Sequence, residues 1–191
     1  PEPMNTALLL IDVQQSFAHR PYWNNTELPA FLAQCNALVA GCQQRGVPVV
    51  RVLHVDGPED RASGDDAFAL ESGLIRPLDG LANFDAALIQ HKHRHSALAG
   101  TGLAIWLRRR GIGRVIVAGI RTEQCCETTT RHASDEGFEV DFVTDATLTF
   151  DMATPGGTLL TATQIRERTA TVLAGRFATL CTVDQALQRA A

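Results

Sequence analysis

Short apolar runs alternate along the chain with longer segments in which apolar residues recur every three or four positions. Runs that are apolar at every position are typical of strands buried on both faces of a parallel sheet. The longer segments have helical spacing, and four of them stop just before a glycine, a common helix terminator. Strands are predicted at 7–11, 47–53, 86–90, 114–118, 138–143 and 177–180, and helices at 28–45, 100–110, 123–136, 161–174 and 184–191.

This strand–helix alternation predicts an α/β fold, a three-layer α/β/α sandwich around a six-stranded, mainly parallel, Rossmann-like sheet. Segment 56–83 is rich in Gly, Asp and Pro and lacks a clear period, so we expect a long surface excursion there. We find no internal repeat and no interdomain linker. With 191 residues, the chain is predicted to form a single domain over 1–191.

Composition narrows the function classes. Hydrophobic residues make up 45% and charged residues 20% of the chain, and the formal net charge of -4 argues against a nucleic-acid-binding protein. No apolar stretch approaches the roughly 18–20 residues that span a bilayer, and residues 1–6 carry no signal-peptide pattern. We therefore expect no membrane partner and a cytoplasmic location. Five cysteines without a C-x-x-C pair predict neither a disulfide framework nor a structural zinc site.

Reactive side chains follow the predicted strands. In parallel sheets, ligands bind beyond the carboxyl ends of the strands. Asp12 follows the first strand, His54 the second, Lys92 the third, Cys125 the fourth and Asp145 the fifth. A carboxylate, an ammonium and a thiol therefore converge at one edge of the sheet.

Two adjacent cysteines compete for the role of reactive thiol. Cys125 lies at a predicted strand-to-helix junction, where a helix N-terminus stabilises a thiolate. Cys126 is turned from it by about 100° around the helix, so only one can face the site, and spacing alone leaves the choice open. The alternatives are a buried cysteine that serves only as a small apolar residue and a redox pair, which the strain of a vicinal disulfide disfavours.

The alternating histidines at positions 91, 93 and 95 share one face of a strand, as metal ligands can. Lys92 and Arg94 lie between them, and no acidic residue stands nearby as a further ligand. We therefore expect histidines at the rim of a site, no bound metal and no cofactor.

Together these residues resemble the isochorismatase-like cysteine hydrolases, which include nicotinamidases and N-carbamoylsarcosine amidases. The resemblance covers nearly the whole chain and lies in three blocks, each at a strand end. The blocks are an apolar strand ending in Asp12-Val13-Gln14 with Phe17, then Lys92 with Ser96-Ala97-Leu98, Thr101 and Leu103, then Gly119-Ile120-Arg121-Thr122 with Cys125, Thr129 and Ala133.

The resemblance assigns roles to these residues. It implies that Cys125 is the nucleophile and that Asp12 and Lys92 complete the catalytic set, with Cys126 in the core. It also implies a cis peptide bond between Ile120 and Arg121. The backbone N–H groups of Arg121 and Cys125 are then expected to form the oxyanion hole.

Two departures from the family patterns refine the expected chemistry. Nicotinamidases bind a metal through an Asp-x-His motif after the second strand, where this chain has Leu53-His54-Val55-Asp56, so no metal is expected. The isochorismatases proper lack the cysteine and cleave a vinyl ether. Possession of Cys125 favours cleavage of a C–N bond in a small amide, carbamoyl or ureido substrate through a thioester. The alternatives are a vinyl-ether hydrolase and a non-catalytic binding protein.

Four residues are predicted to line the pocket for a small-molecule substrate: Phe17, Trp23, His54 and Arg121. The Arg121 side chain either pairs with a substrate carboxylate or lies at the surface with only its backbone in use. The resemblance further implies a homodimer or homotetramer.

Overall fold

The computed structural model describes residues 4–60 and 66–190. Within these residues, six strands form one parallel sheet in the order β3-β2-β1-β4-β5-β8. Two further strands, β6 and β7, pair as a short antiparallel hairpin. The strands are β1 (Asn5–Ile11), β2 (Val49–His54), β3 (Leu88–Lys92), β4 (Ile112–Ile120), β5 (Glu139–Leu148), β6 (Met152–Ala153), β7 (Leu159–Leu160) and β8 (Thr179–Leu180).

The strand order places a crevice over the centre of the sheet. From β1 the chain adds β2 and β3 on one side, and then returns to add β4, β5 and β8 on the other. The order therefore reverses between β1 and β4. In open parallel sheets the ligand site lies at such a reversal, outside the carboxyl ends of the strands.

Helices cover both faces of the sheet, which confirms the predicted three-layer architecture. They are α1 (Leu28–Gln44), α2 (Leu103–Arg109), α3 (Glu127–Asp135), α4 (Ala162–Leu173) and α5 (Val183–Ala190). On one face, Leu8 and Leu10 of β1 belong to a core that includes apolar residues of α1 and α5. On the other, Leu9 and Ile11 belong to a core with α2, α3 and α4. Because β1 is apolar on both faces, both cores depend on it.

Some predicted boundaries were wrong. The third strand runs to Lys92 instead of ending at residue 90. The fifth strand continues to Leu148 past a register shift opposite Val117 and Gly119. Asp145 therefore lies within β5 and is exposed, not at the edge where the reactive side chains meet. A π-helical turn, Thr122–Cys126, precedes α3, where one continuous helix was expected.

The excursion at 56–83 is confirmed as irregular in its described part, which contains the short 3-10 turns Pro58–Asp60 and Leu70–Ser72 and an isolated antiparallel bridge between Pro77 and Gln14. Residues 61–65 of this segment lie outside the described residues, as do residues 1–3 and Ala191. In the parts of the chain that the structure describes, no helix has the length and apolar character needed to cross a membrane.

Candidate active site

A cavity of about 450 Å³ opens at the carboxyl ends of the central strands. Asp12 and Cys125 lie in its wall, with Gln124 beside them. Aromatic residues line another part, and charged residues and three histidines surround them. The aromatic residues are Phe17, Tyr22 and Phe68, and the polar ones are Arg20, His54, Asp56, Asp60, His93, Arg94 and His95.

Asp12 follows β1 directly and has a left-handed backbone, with φ of 54°. Non-glycine residues rarely adopt this conformation, and those that do cluster at functional sites. Its N–H donates to the Val52 carbonyl of the neighbouring strand at 2.9 Å, which fixes the turn. The carboxylate is fully buried, and Oδ2 lies 3.0 Å from Lys92 Nζ. Sequence spacing alone gives no sign of this pairing.

Lys92, the last residue of β3, is fully buried and ends at the centre of the site. Its Nζ lies 3.3 Å from Cys125 Sγ, 2.8 Å from His54 Nδ1 and 2.9 Å from the Arg94 carbonyl oxygen. Burial alone lowers the pKa of Lys92, but the Asp12 carboxylate and Cys125 outweigh burial, and the pKa is raised. The side chain therefore remains an ammonium at neutral pH.

Cys125 presents its sulfur to the cavity from the π-helical turn and is 7% exposed. Burial, reinforced by the nearby Asp12 carboxylate, raises the pKa of Cys125 well above its ordinary value, although Lys92 opposes this. The resting group is therefore a neutral thiol beside a potential base.

Cys126 is fully buried and belongs to the apolar core shared with α2, α3 and α4. The Thr130 hydroxyl, one helical turn further along the chain, donates a hydrogen bond to the Cys126 carbonyl oxygen at 2.9 Å. Of the two adjacent cysteines, Cys125 therefore lines the cavity while Cys126 packs away from it.

The chain enters this turn through a closely packed junction. The peptide bond between Ile120 and Arg121 is cis. Just before it, Gly119 has φ of 134°, and a Cβ added there would lie 1.9 Å from the Ile11 carbonyl oxygen. Only glycine fits a backbone approach this close. Gly119 therefore allows β4 to lie against the end of β1, which brings Cys125 near Asp12.

The ligand atoms of Asp12, His54 and Cys125 lie within 4.8 Å of one another, a spacing that could hold a metal ion. Lys92 Nζ, however, lies 3.0, 2.8 and 3.3 Å from these same three side chains. The ammonium is the cation that these donors already contact. A metal ion bound to all three would have to displace it.

His54 is held more firmly than its sequence position suggests. The buried side chain of Gln14 forms two hydrogen bonds with the backbone of His54. It accepts from the His54 N–H at 2.8 Å and donates to the His54 carbonyl oxygen at 2.9 Å. This pairing gives the Gln of the Asp12-Val13-Gln14 block a structural role in tying the end of β1 to the end of β2. The His54 ring contacts Asp56 Oδ1 through Nε2 at 2.7 Å.

The predicted pocket wall is partly wrong. Phe17 and His54 line the cavity, but Trp23 and the Arg121 side chain are not among the lining residues. Trp23 packs against Phe150, with ring centroids 5.4 Å apart. The Arg121 guanidinium stacks over Tyr22 at 4.4 Å, and Nε lies 3.3 Å from Glu123 Oε1. Arg121 therefore has acidic and aromatic partners behind the wall, and Tyr22 faces the cavity in its place.

The chain matches the family model described as the isochorismatase domain over residues 6–185. The isochorismatase family protein YrdC of Bacillus subtilis is 27% identical over 94% of this chain and 92% of its own length. Nicotinamidase 3 of Arabidopsis thaliana is 32% identical over 84% of this chain and 81% of its own length. A cysteine hydrolase from Pseudomonas syringae pv. phaseolicola superposes with a TM-score of 0.88 at 22% identity, covering all of this chain and 94% of the other, and so shares the fold. The chain therefore belongs to the isochorismatase family of hydrolases.

Proposed function

We propose that the chain is a cysteine-dependent hydrolase that cleaves a C–N bond in a small amide, carbamoyl or ureido substrate through a thioester. One observation carries the proposal. A buried carboxylate and a buried ammonium contact each other at 3.0 Å, and the ammonium contacts a thiol at 3.3 Å in the wall of a cavity. The 32% identity to a plant nicotinamidase supports the same bond type.

The first step forms the thioester. Asp12, whose Oδ1 accepts no hydrogen bond among the described residues, takes the proton of the Cys125 thiol as the sulfur attacks the carbonyl carbon. Backbone N–H groups of Arg121 and Cys125 receive the developing oxyanion. The C–N bond then breaks, and the proton on Asp12 passes to the leaving nitrogen.

The second step regenerates the thiol. Water attacks the thioester carbonyl and gives a proton to Asp12, and the C–S bond breaks to release the acid. The sulfur regains its proton from Asp12. Lys92 remains charged throughout and stabilises the negative charge as it moves between the oxygen of Asp12 and the sulfur of Cys125.

The cavity suits a small substrate with a planar or apolar part. Phe17, Tyr22 and Phe68 offer aromatic surface, and Arg20, Asp56, Asp60 and Arg94 supply charges of both signs near the opening. The cavity volume of about 450 Å³ lies in the range that is typical of small-molecule binding sites.

An ammonia-release screen over primary amides, carbamoyl amino acids and ureides tests the proposal. The wild-type protein is expected to release ammonia from at least one class, and Cys125→Ala to lose all turnover. Cys126→Ala is the matched control and is expected to keep most activity, because its side chain lies in the core. Turnover that survives in Cys125→Ala, or no release by the wild-type protein from any class, contradicts the proposal.

A further inference from the structure

Lys92 has more hydrogen-bond acceptors around it than protons to give. Its ammonium carries three N–H donors. Four acceptor atoms lie within 3.3 Å of Nζ: His54 Nδ1 at 2.8 Å, the Arg94 carbonyl oxygen at 2.9 Å, Asp12 Oδ2 at 3.0 Å and Cys125 Sγ at 3.3 Å. The two shortest contacts are to atoms outside the set of Asp12, Lys92 and Cys125.

The contact to His54 requires a particular tautomer. Nδ1 accepts from Lys92 only when the ring proton is on Nε2. Asp56 Oδ1, 2.7 Å from Nε2, is the acceptor that holds the proton there. Burial and the Lys92 ammonium lower the pKa of His54, against the opposing effects of Asp12 and Asp56, which keeps the ring neutral.

The imidazole is also held from other sides. Gln14 binds both backbone groups of His54. The Phe68 ring meets the imidazole edge-on, with centroids 5.9 Å apart, and the Phe68 carbonyl accepts from the Asp56 N–H at 2.9 Å. Asp56 is further placed by Arg20, at 3.9 Å from its other oxygen. An acceptor fixed in this way can hold a flexible lysine side chain in one orientation.

We propose that His54 and Asp56 form a positioning pair for Lys92, which keeps the third N–H of the ammonium on Cys125 and its charge beside Asp12. The inference rests on the proposed role of Cys125 as nucleophile. His54 and the Arg94 carbonyl occupy two of the three N–H donors. The third donates to Cys125 Sγ at 3.3 Å, while Asp12 Oδ2 makes an ion pair with Nζ at 3.0 Å and accepts no hydrogen bond among the described residues.

The proton transfer then needs only a small rearrangement. The S–H bond of Cys125 breaks and an O–H bond forms on Asp12, so the negative charge moves from oxygen to sulfur. The third N–H of Lys92 already donates to the Cys125 sulfur and stays on it as the negative charge arrives, while the other two hydrogen bonds of the ammonium are unchanged. Without His54, the N–H of Lys92 that donates to Nδ1 loses its acceptor, and the position of Nζ is less well defined.

The test measures the second-order rate of alkylation of Cys125 by iodoacetamide, located by peptide mass spectrometry, and so needs no substrate. In His54→Asn, the amide oxygen lies near the place of Nδ1, whereas in His54→Gln it lies closer to Nε2. His54→Leu and His54→Gln are expected to slow alkylation about tenfold, and His54→Asn to stay within about threefold of wild type.

A His54→Leu protein that reacts as fast as wild type overturns the proposal. So do equal rates for His54→Asn and His54→Gln, a comparison that stands even where His54→Leu does not fold. Failure of the proposed function is a separate result, because it appears as absent ammonia release while the alkylation rates still rank the His54 variants.

Discussion

The Nζ atom of Lys92 lies 3.0 Å from Oδ2 of Asp12, and neither side chain is exposed to solvent. The two residues are held at the ends of β3 and β1, with β2 between them in the sheet. A buried pair of opposite charges is strongly destabilised when only one member is removed, because the other charge stays buried without its partner.

Lys92→Met is therefore expected to lower the free energy of unfolding by about 3–5 kcal/mol. Adding Asp12→Asn removes the orphaned charge and is expected to recover about 2 kcal/mol of that loss. Urea unfolding of wild type, both single variants and the double variant measures the coupling. In turnover assays, the double variant should be little worse than the poorer single one. Stability losses that simply add, together with rate defects that multiply, contradict the pairing.

The second prediction concerns metal. Lys92 Nζ contacts the three side chains that could otherwise ligate an ion together, Asp12, His54 and Cys125. We therefore expect dialysis against a chelator to change neither the alkylation rate of Cys125 nor ammonia release. Elemental analysis of the purified protein checks the same point. A stoichiometric metal content, with activity lost to the chelator and restored by that metal, contradicts this prediction.

The fold and the three central residues were accessible from the sequence for a physical reason. Strands buried on both faces must be apolar at every position, and the runs at 7–11 and 115–118 are. Polar residues immediately after such strands must lie at the carboxyl edge of the sheet. The strand ends therefore predict that Asp12, Lys92 and Cys125 lie close together, although no local sequence pattern links them.

The rest of the site depends on tertiary contacts that leave no periodic signal. Phe68 reaches the cavity from an irregular segment, and Tyr22 replaces Arg121 because the arginine pairs with Glu123 behind it. The exposed position of Asp145 follows from the register shift in β5. The hairpin of β6 and β7 has two residues in each strand, too few for an alternating pattern to be recognised.

Gly119 gives a third prediction. An alanine Cβ there would lie 1.9 Å from the Ile11 carbonyl oxygen, a backbone atom within the central sheet that cannot shift easily. Gly119→Ala is expected to lower the free energy of unfolding by about 4 kcal/mol or to prevent folding. Gly46→Ala is the matched control. Gly46 also has a positive φ, 69°, but open space around it, so the expected loss is about 1 kcal/mol. Equal losses in the two variants contradict the packing argument.

The last prediction concerns pH and His54. Burial, followed by the Lys92 ammonium, lowers the pKa of His54 from its ordinary value of 6.5, while Asp12 and Asp56 act in the opposite direction. In the unfolded chain the ring takes up a proton near pH 6.5, but in the folded protein it does so only at lower pH. Between these two values the unfolded state binds more protons, so stability falls as pH falls.

The contribution of His54 is therefore fully present above about pH 6.5 and is lost as pH falls through the folded pKa. His54→Asn removes this titration while it retains an acceptor near Lys92. Urea unfolding of both proteins from about pH 8 to about pH 5 should give a difference in unfolding free energy that is constant at the upper end. At the lower end, wild type should lose stability relative to the variant. There the unfolded wild-type chain takes up a proton on His54 while the folded protein does not, and the variant has no titrating group at this position. A difference that stays constant over the whole range, or wild type gaining relative stability in acid, contradicts a neutral His54 as the acceptor for Lys92.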